Sequence, residues 1–416
     1  MAGVSASAAD LRERVRRLPG MEALLPALAG LARTYLVGGA VRDLLRGARA
    51  VDLDVAVEGD ARSVARSLAE RMGGQVRQHE RFGTATVWAG TVQLDLAATR
   101  TETYAEPGAL PEVSPAGLAE DLRRRDFAIN AMAVALAGDD LGHLYDPCGG
   151  LPDLEAGLVR VLHPGSFLDD ATRLLRAVRY EARLEFGMDE DTERAARAAI
   201  AEEALSTVSG ARIRDELIDL LAEPRAPAGV ERMRDLELDR ALHPALDADP
   251  ELVSSAALGA AALGADRALA ALAALCAEAP EELDLWLAGL HLDARDRDAV
   301  SRAARVGERL AKELRARDHT PSELSALLGR EPPEALALAL ALGAPSEPVL
   351  RWTGELSGVA LEIGGRDLIV AGVPEGPAVG RALDETLRRK LDGLVSGRDE
   401  ELRTALALVR EDGAAA

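Results

Sequence analysis

Residues 35–57 hold the feature that most restricts how this chain can fold. A short apolar run, YLV, leads into a Gly-Gly pair at positions 38 and 39, and an Arg-Asp pair follows at positions 42 and 43. A second apolar run, VDLDVAV, spans residues 51–57. Short apolar runs bounded by glycine favour buried strands. The stretch therefore predicts a strand, a tight turn, a helix that opens with the Arg-Asp pair, and a second strand that carries two aspartates.

The second strand presents two carboxylates on one face. Residues two apart in a strand point to the same side, so Asp52 and Asp54 project together while their apolar neighbours pack on the other side. Two adjacent carboxylates repel each other, and a hard divalent cation such as Mg²⁺ is the usual way to hold them together. A lone D-x-D is more often a solvent-facing acidic strand, which is the alternative interpretation.

The Gly-Gly turn upstream makes the metal interpretation the stronger one. Without a Cβ, Gly38 and Gly39 let backbone amides approach an anion closely, and Arg42 adds a fixed positive fork at the start of the helix. A triphosphate and Mg²⁺ are therefore predicted to meet here, with Asp52 and Asp54 as metal ligands.

Composition and charge limit the classes of protein that could contain this site. The chain has 416 residues, 48% of them hydrophobic, which suits two to four compact units rather than one. A net charge of −21 argues against a uniformly basic protein, yet nucleic-acid binding depends on local patches rather than totals. Two cysteines without a C-x-x-C, no leading apolar segment and no bilayer-length uncharged run predict a soluble cytoplasmic protein without a membrane partner.

The N-terminal part of the chain predicts further elements. Residues 1–33 are predicted as a helix that ends near Gly30, and residues 61–72 as a helix with one apolar face, closed by glycines. Residues 84–88 and 92–97 have the pattern of two strands joined by Ala-Gly, which indicates a hairpin.

Asp95 lies in the second strand of that hairpin. If this strand pairs beside the one that carries Asp54, Asp95 completes a three-carboxylate site for two metal ions, as a ligand or a base. The alternative is a polar residue that faces solvent, and its neighbours do not decide between the two. Residues 100–115 contain three prolines and are predicted as an irregular loop, of a length that is usually functional or mobile.

Three consecutive arginines at positions 123–125 precede an apolar run at residues 128–136. Such a triplet is usually a solvated surface, but here it adjoins a segment that is predicted to be buried. At least one guanidinium is therefore expected to point into a cleft and be paired.

By these motifs the chain resembles the nucleotidyltransferase superfamily with a polymerase-β-like palm. Within it, the chain is similar to bacterial-type (class II) tRNA nucleotidyltransferases, above all CCA-adding enzymes, and to the related bacterial poly(A) polymerases. Residues 35–187 carry nearly all of the resemblance, and residues 361–368 carry a weaker echo. The motifs are LVGGAVRD (36–43) with DLD (52–54), DLAATRTETY (95–104), RRDFAINAM (124–132), YDPCGG (145–150) and FLDDATRLLRAVRY (167–180).

The last of these motifs places an acid and three arginines three residues apart. Asp170, Arg173, Arg176 and Arg179 would form a slowly drifting stripe on a helix. On spacing alone, an exposed Asp170–Arg173 salt bridge of little energetic value is the more frequent explanation. The resemblance favours another role, because family enzymes use the equivalent Asp and Arg as a protein template that selects CTP and ATP. The family often has Glu-Asp where Asp169-Asp170 stands here, so the side chain before the base-reading Asp170 is one methylene shorter than in many relatives.

The resemblance implies an α+β chain with a polymerase-β-like nucleotidyltransferase head built on a mixed sheet, followed by an all-helical neck, body and tail. The expected boundaries are 1–158 for the head, 159–225 for the neck with base recognition, 226–350 for the body and 351–416 for the tail, which binds tRNA. The sequence beyond residue 225 itself predicts amphipathic helices with stops at prolines 244, 250, 280, 321 and 332–333. Five basic against three acidic residues in 381–398 support RNA contact only faintly.

The resemblance also implies a reaction. The enzyme would add CMP, AMP or both to the 3′ end of tRNA without a nucleic-acid template, by in-line attack of the ribose 3′-hydroxyl on the α-phosphate of CTP or ATP. Pyrophosphate would leave, and Mg²⁺ would be the cofactor. The residues implied are Asp52 and Asp54 as metal ligands, Asp95 as ligand or base, Gly38, Gly39, Arg42 and Arg125 at the triphosphate, Asp170 and Arg173 at the base, and Arg176 and Arg179 at nucleotide or primer phosphate.

Several alternatives stay open at this level. A poly(A) polymerase shares the catalytic half, and some bacteria divide the work between a CC-adding and an A-adding enzyme. Residues 100–115 are present, which disfavours the CC-only type because those enzymes resemble the family with this loop shortened. A catalytically silent tRNA-binding factor would be expected to lack one of the three aspartates. Six histidines without paired ligand spacing argue against a fused metal-dependent phosphohydrolase, and no protein partner is indicated.

Overall fold

The chain folds as two compact units. The computed structural model describes residues 7–48, 53–79, 83–90, 92–106 and 108–415. The first unit contains the described part of residues 1–216 together with 223–225 and 235–241, and the second contains the rest. The expected division into head, neck, body and tail at residues 158, 225 and 350 is a different partition, and it stays a prediction.

A mixed sheet forms the core of the first unit, as predicted. The strands of the described chain are β1 (Thr34–Val37), β2 (Leu53–Val57), β3 (Gln75–His79), β4 (Thr84–Ala89), β5 (Val92–Ala98), β6 (Arg100–Thr103), β7 (Glu112–Pro115), β8 (Ala133–Ala135), β9 (Leu144–Tyr145), β10 (Leu158–Val159) and β11 (Gly187–Met188). The main sheet has the order β3-β4-β5-β2-β1-β8-β9. Strands β2 and β5 are parallel, and the other neighbours are antiparallel. The predicted hairpin is therefore confirmed as β4 and β5.

Alternating burial shapes the centre of this sheet. Leu53 and Val55 in β2 and Leu94 and Leu96 in β5 are buried, while the aspartates between them are exposed. Helix α4 (Ala61–Met72) has the predicted bounds and contacts β2, β4 and β5. The apolar residues thus pack on one face of the sheet, and the carboxylates lie on the other face.

Helices cover much of the chain up to residue 222. They are α1 (Ala8–Arg17), α2 (Met21–Leu28), α3 (Gly39–Arg46), α4, α5 (Leu118–Arg123), α6 (Gly150–Ala156), α7 (Ser166–Asp169), α8 (Thr172–Leu184), α9 (Glu190–Ala201) and α10 (Gly210–Ala222), with 3₁₀ turns at Ala128–Asn130 and Ala204–Thr207.

The single helix predicted over residues 1–33 is wrong for the described part of that range. Two helices, α1 and α2, are separated by a break at residues 18–20. Pro19 disfavours helical geometry at Leu18, which is extended, and Gly20 adopts a φ of +80°. The chain turns here because this Pro-Gly pair ends one helix and permits the left-handed conformation that precedes the next.

The irregular loop predicted over residues 100–115 is also only partly correct. Its two ends pair as the antiparallel strands β6 and β7, from the pair Arg100–Pro115 to the pair Thr103–Glu112. Pro115 is tolerated at the end of this edge strand because no strand–strand hydrogen bond there requires the N–H that proline lacks. Over its described residues the segment is therefore a hairpin of β6 and β7.

The chain beyond residue 225 is helical in its described part, as predicted. Its helices are α11 (Ala226–Asp235), α12 (Leu238–Leu242), α13 (Pro250–Leu263), α14 (Arg267–Leu275), α15 (Pro280–Gly289), α16 (Ala294–Ala316), α17 (Pro321–Leu328), α18 (Pro333–Ala341), α19 (Ser346–Arg351), α20 (Gly365–Val370), α21 (Pro377–Leu391) and α22 (Arg398–Ala415), with a π-helical turn at Trp352–Leu356.

Prolines begin helices in this region rather than only ending them. Pro250, Pro280, Pro321 and Pro333 each occupy the first positions of a helix. The first turn has N–H groups without an intrahelical partner, so a residue that lacks an N–H fits there. Over the part of the chain that the structure describes, helices that combine the length and apolarity needed to cross a bilayer are absent.

Candidate active site

Two neighbouring cavities lie in the first unit and share a carboxylate. The first, of about 530 Å³, is lined by the Gly-Gly turn, by Asp54, by residues of 102–130 and by one side each of α8 and α10. The second, of about 340 Å³, is lined by parts of β2, β4 and β5. Asp54, Arg124 and Arg125 line both cavities.

The structure brings two of the three predicted catalytic carboxylates together. Strands β2 and β5 pair so that Asp54 lies directly opposite Asp95, which confirms the strand pairing on which the three-carboxylate prediction depended. Both residues are exposed, and Asp95 lines the second cavity. Asp52 lies outside the described residues.

The donor set on this face of the sheet fits a hard divalent cation. Asp54 and Asp95 offer carboxylate oxygens from adjacent strands on one face of the sheet, and such oxygens are the ligands that Mg²⁺ prefers. Within the described residues, groups of three or more potential metal-ligating side chains are absent. The metal site with Asp52 and Asp54 as ligands therefore stays a prediction.

The Gly-Gly turn forms the floor of the first cavity beside Arg125. Gly38 has a φ of +68°, which favours glycine, and a Cβ at this position would lie 3.0 Å from Nη1 of Arg125. Arg125 Nη2 also donates to Asp121 Oδ2 at 3.1 Å. The guanidinium is thus placed against the turn that the sequence predicts as an anion cradle.

Arg42 is placed differently from what its predicted role suggests. Only 2% of the residue is exposed, and its guanidinium donates twice to Asp43 and once to Asn130 Oδ1, at 2.9 Å. Asn130 lines the first cavity, whereas Arg42 does not. A direct contact of Arg42 with a triphosphate stays a prediction; in this structure its guanidinium is paired with Asp43 and Asn130.

The expectation for the arginine triplet is confirmed. Arg124 donates to Asp121 Oδ1 at 2.7 Å and to Glu102 Oε1 at 2.8 Å, and it lines both cavities together with Arg125. Burial by itself raises the pKa of Asp121, but the charges of Arg125 and Arg124 outweigh it, so the pKa lies below its usual value. Arg123 is exposed.

Asp170 and Arg173 line the first cavity together, at the start of α8. Asp170 Oδ1 accepts from the backbone N and the hydroxyl of Thr172, at 3.1 and 2.7 Å, and its Oδ2 accepts from Arg212 at 2.7 Å. Arg173 is 6% exposed and donates to Ser166 Oγ at 2.6 Å and to the carbonyl of Arg124 at 3.2 Å. The simple Asp170–Arg173 salt bridge is therefore not the arrangement here.

Arg176 and Arg179 are held by carboxylates. Arg176 donates to Asp126 Oδ2 at 2.5 Å and to Glu216 at 2.9 Å, and it lines the first cavity. Arg179 lies 3.5 Å from Glu216 and does not line the cavity. Burial by itself raises the pKa of Asp126, but Arg176 outweighs it by charge and hydrogen bonds and lowers this pKa, while the pKa of Arg176 is raised. Contacts of the two arginines with phosphate stay predictions.

Sequence reasoning missed several residues of the cavity wall. Arg212, Asp215 and Glu216 project from α10, and Tyr104 projects from the end of β6. The three α10 residues are spaced i, i+3 and i+4, so they share one helix face. The same spacing rule that singled out the stripe on α8 would have found this second stripe.

The cavity wall combines fixed donors and acceptors with exposed carboxylates. The turn and Arg125 can hold an anion, Asp170 presents a carboxylate whose orientation is set by three hydrogen bonds, and Arg173 presents a guanidinium anchored at two points. An arrangement of this kind can bind a phosphate at one end and match the hydrogen-bonding edge of a ring at the other.

Two family models match parts of the chain. A family model described as the poly A polymerase head domain matches residues 34–160, which include the main sheet. A second model, described as a probable RNA and SrmB-binding site of polymerase A, matches residues 185–249.

Two relatives match along most of the chain. An A-adding tRNA nucleotidyltransferase of Geobacter sulfurreducens is 35% identical over 396 residues, which are 90% of this chain and 45% of that protein. A CC-adding tRNA nucleotidyltransferase of Deinococcus radiodurans is 36% identical over 376 residues, which are 89% of this chain and 88% of that protein. The chain spans about half or less of the length of the A-adding relatives that it matches.

A solved structure matches over almost the whole chain. The Thermotoga maritima CCA-adding enzyme complexed with tRNA has a TM-score of 0.75 and 29% identity, and the match covers 97% of this chain and 98% of that one. The predicted α+β class, with a polymerase-β-like head and a helical remainder, is confirmed.

Proposed function

Because the chain belongs to the family of bacterial-type tRNA nucleotidyltransferases and poly(A) polymerases, we propose that it adds CMP, AMP or both to the 3′ end of tRNA without a nucleic-acid template. The observation that carries this proposal is that Asp170 and Arg173 line the same cavity as Asp54 and the Gly-Gly turn. The residues proposed to read the base and those proposed to carry out the transfer would thus act in one cavity of the first unit.

The physical argument for base choice starts from the fixed polarity of Asp170. Cytosine and adenine each carry an exocyclic amino group that donates hydrogen bonds, whereas uracil and guanine carry a carbonyl oxygen at the corresponding position. A carboxylate accepts only, so it pairs with the first two bases and opposes the last two. Arg173 supplies the complementary donors. Because hydrogen bonds fix both groups, they can act as a template without RNA or DNA.

We propose that the phosphate end is handled by the Gly-Gly turn and Arg125. Gly39 would offer its backbone N–H group, Gly38, whose own N–H donates to the carbonyl of Met132 at 3.4 Å, would let the phosphate approach the turn, and Arg125 would supply positive charge beside them. Mg²⁺ held by Asp52 and Asp54 would supply charge to the transferred phosphate and to the attacking 3′-hydroxyl, with pyrophosphate as the leaving group. Asp95 would assist from the adjacent strand as ligand or base.

Roles for Arg42, Arg176 and Arg179 follow from their buried pairing. Arg42 would act through Asn130, to which it donates a hydrogen bond. Arg176 would contact nucleotide or primer phosphate while it stays paired with Asp126 and Glu216. We propose that Arg179 also contacts nucleotide or primer phosphate.

The helical part beyond residue 225 is proposed to hold tRNA, with 351–416 as its binding tail. Free positive charge is scarce there, since basic residues of 381–398 are paired within their own unit. Arg388 and Arg389 pair with Glu385, Lys390 pairs with Glu401, and Arg398 pairs with Asp367. Recognition there would rest on shape and backbone contacts more than on free charge. A cytoplasmic location, where this reaction would act on tRNA, is part of the proposal.

The decisive experiment offers the purified protein three tRNAs, ending before CCA, after C and after CC, with CTP and ATP supplied separately. A CCA-adding enzyme extends all three substrates with the matching nucleotide, and product length on a gel reads this directly. Failure to extend any of the three tRNAs with either nucleotide would overturn the proposed function.

The same gel separates the alternatives. An A-adding specialist extends only the tRNA that ends after CC, a CC-adding specialist stops after two additions, and a poly(A) polymerase makes long products from ATP alone on many RNAs. The intact β6–β7 hairpin disfavours the CC-only outcome, since CC-only enzymes resemble the family with this segment shortened.

A further inference from the structure

A row of side chains crosses the sheet at the level of the catalytic carboxylates. Thr86 on β4 lies opposite Asp95 on β5, and Asp95 lies opposite Asp54 on β2. Side chains opposite each other across neighbouring strands share one face of the sheet. The three residues therefore form one continuous line, with Thr86 at its outer end.

Thr86 makes a short hydrogen bond within this line. Its hydroxyl Oγ1 donates to Asp95 Oδ1 at 2.6 Å. Thr86 is 8% exposed, whereas Asp95 is exposed. A β-branched residue is stiff at χ1, so a buried threonine is a fixed donor to a side chain that would otherwise be free to rotate.

The carboxylate needs such a donor because it faces a like charge. Neighbouring strands lie about 4.8 Å apart, so the carboxylates of Asp54 and Asp95 repel each other at close range. Repulsion favours rotamers in which Asp95 swings away from Asp54. Because Thr86 lies on the side of Asp95 opposite Asp54, its hydrogen bond to the ionised form fixes Oδ1 on that side and restricts further rotation of the carboxylate.

We propose that Thr86 is a positioning residue that fixes the orientation of the Asp95 carboxylate by occupying Oδ1 on the side away from Asp54, and thereby leaves Oδ2 to a divalent cation or to the attacking hydroxyl. The effect on nucleotide addition rests on the proposed function, whereas the effect on cation binding does not. A merely structural alternative is a cross-strand pair that stabilises the β4–β5 hairpin without bearing on the cation.

The test compares Thr86→Val, Thr86→Ser and a control, Thr34→Val. Valine keeps the shape of threonine and removes the hydroxyl, and serine restores it. Thr34 is a suitable control because it is a buried strand residue of the same sheet, 2% exposed, whose hydroxyl has no hydrogen-bond partner in the described part of the chain.

Two quantities are measured for each protein: affinity for Mn²⁺ alone, by calorimetric titration, and kcat and KM for nucleotide addition to tRNA. Thr86→Val is expected to lower Mn²⁺ affinity about fivefold and kcat about tenfold, with KM for the nucleotide within twofold, because the lost hydrogen bond orients a ligand and does not bind the base. Thr86→Ser should recover most of both losses, and Thr34→Val should match the wild type.

Unchanged Mn²⁺ affinity in a folded Thr86→Val protein overturns the proposal, as does a serine variant as impaired as the valine variant. Thermal unfolding checks that each variant is folded, and Thr86→Ala replaces Thr86→Val if the latter does not fold. If the wild type binds Mn²⁺ but adds no nucleotide to tRNA, the proposed function fails while the Mn²⁺ comparison still decides the role of Thr86.

Discussion

Charged groups are held in different ways on the two sides of the candidate site, which are the sheet side on β2 and β5 and the helix side around α8. On the sheet side, Asp54 and Asp95 are exposed on adjacent strands. On the helix side, Arg173 is 6% exposed and Asp126 is 9% exposed, and Arg176 has two carboxylate partners. One side presents exposed carboxylates, whereas on the other side hydrogen bonds and ion pairs within the chain hold the charged groups.

This difference fits the two tasks proposed for the cavity. Choosing a base needs donors and acceptors that do not move when the wrong base arrives, and buried hydrogen-bonded groups meet that need. Accepting divalent cations needs accessible carboxylates whose repulsion the cation relieves. The comparison predicts that changes on the sheet side abolish chemistry, while changes on the helix side alter selectivity and stability.

The largest effect is expected for Asp54→Ala on the sheet side. Loss of a metal ligand should lower nucleotide addition by at least about 10³-fold, because a bound cation supplies several kcal/mol to the transition state. Affinity for tRNA should stay nearly unchanged, and Asp52→Ala should behave in the same way. Product gels and filter binding measure the two quantities. Asp140→Ala, an exposed carboxylate outside both cavities, is the control; substantial residual addition by Asp54→Ala would contradict the metal assignment.

The next effect is a change of selectivity for Asp170→Ala on the helix side. Discrimination of CTP and ATP against UTP and GTP should fall about tenfold to a hundredfold, since a well-placed base contact is worth roughly 1–3 kcal/mol. The choice between CTP and ATP should also blur, more than triphosphate binding weakens. The measurement is kcat/KM for each of the four nucleotides.

Asp191→Ala is the matched control for this selectivity change. Asp191 pairs with Arg194 at i, i+3 on an exposed helix face, which is the simple salt bridge first considered for Asp170. An unaltered nucleotide preference in Asp170→Ala would show that Asp170 is also no more than such a bridge.

A smaller effect is expected on stability when Asp126 is changed to Asn. The variant removes the 2.5 Å partner of a partly buried Arg176, so the free energy of unfolding should fall by about 2 kcal/mol. Asp191→Asn, which removes an exposed pair, should change it by less than about 0.5 kcal/mol. Denaturant titration measures both. Equal effects for the two variants would remove the distinction between the buried network and a surface pair.

The smallest effect is the pH dependence of the same pair. The pKa of Asp126 is lower in the folded state than in the unfolded one, so its contribution to stability is present above the unfolded pKa and is lost as pH falls through the folded pKa. Between pH 5 and pH 3 the wild type should lose about 1 kcal/mol more than Asp126→Asn. Parallel unfolding curves for the two proteins over this range would contradict the predicted pKa shift.

Local patterns were sufficient for much of the fold. The alternation in residues 84–97 predicts the hairpin, the apolar face of residues 61–72 predicts α4 with its bounds, and the D-x-D strand emerges as β2 over its described residues. These predictions succeed because periodicity and turn residues act between neighbours in the chain. They failed at residues 18–20, where a Pro-Gly break divides an otherwise helical pattern.

The candidate site was predictable as a set of residues but not as a set of contacts. The D-x-D strand, Asp95, the Gly-Gly turn and the stripe on α8 are all visible in the sequence. Their partners are not: Asp170 is held by Arg212, 42 residues further along, and Asp95 by Thr86 across a strand pair. Arg42, whose motif suggests a contact with an anion, is buried against Asp43 and Asn130.

The sequence by itself determined which chemical groups are available and on which elements they sit, because spacing fixes the face of a strand or helix. The tertiary structure decided which of those groups are exposed, which are neutralised and which are locked in one orientation. The physical reason is that burial and charge pairing depend on side chains brought together from distant parts of the chain. The same residue type, aspartate, can therefore be an exposed carboxylate on β2 and a carboxylate held in place by hydrogen bonds at the start of α8.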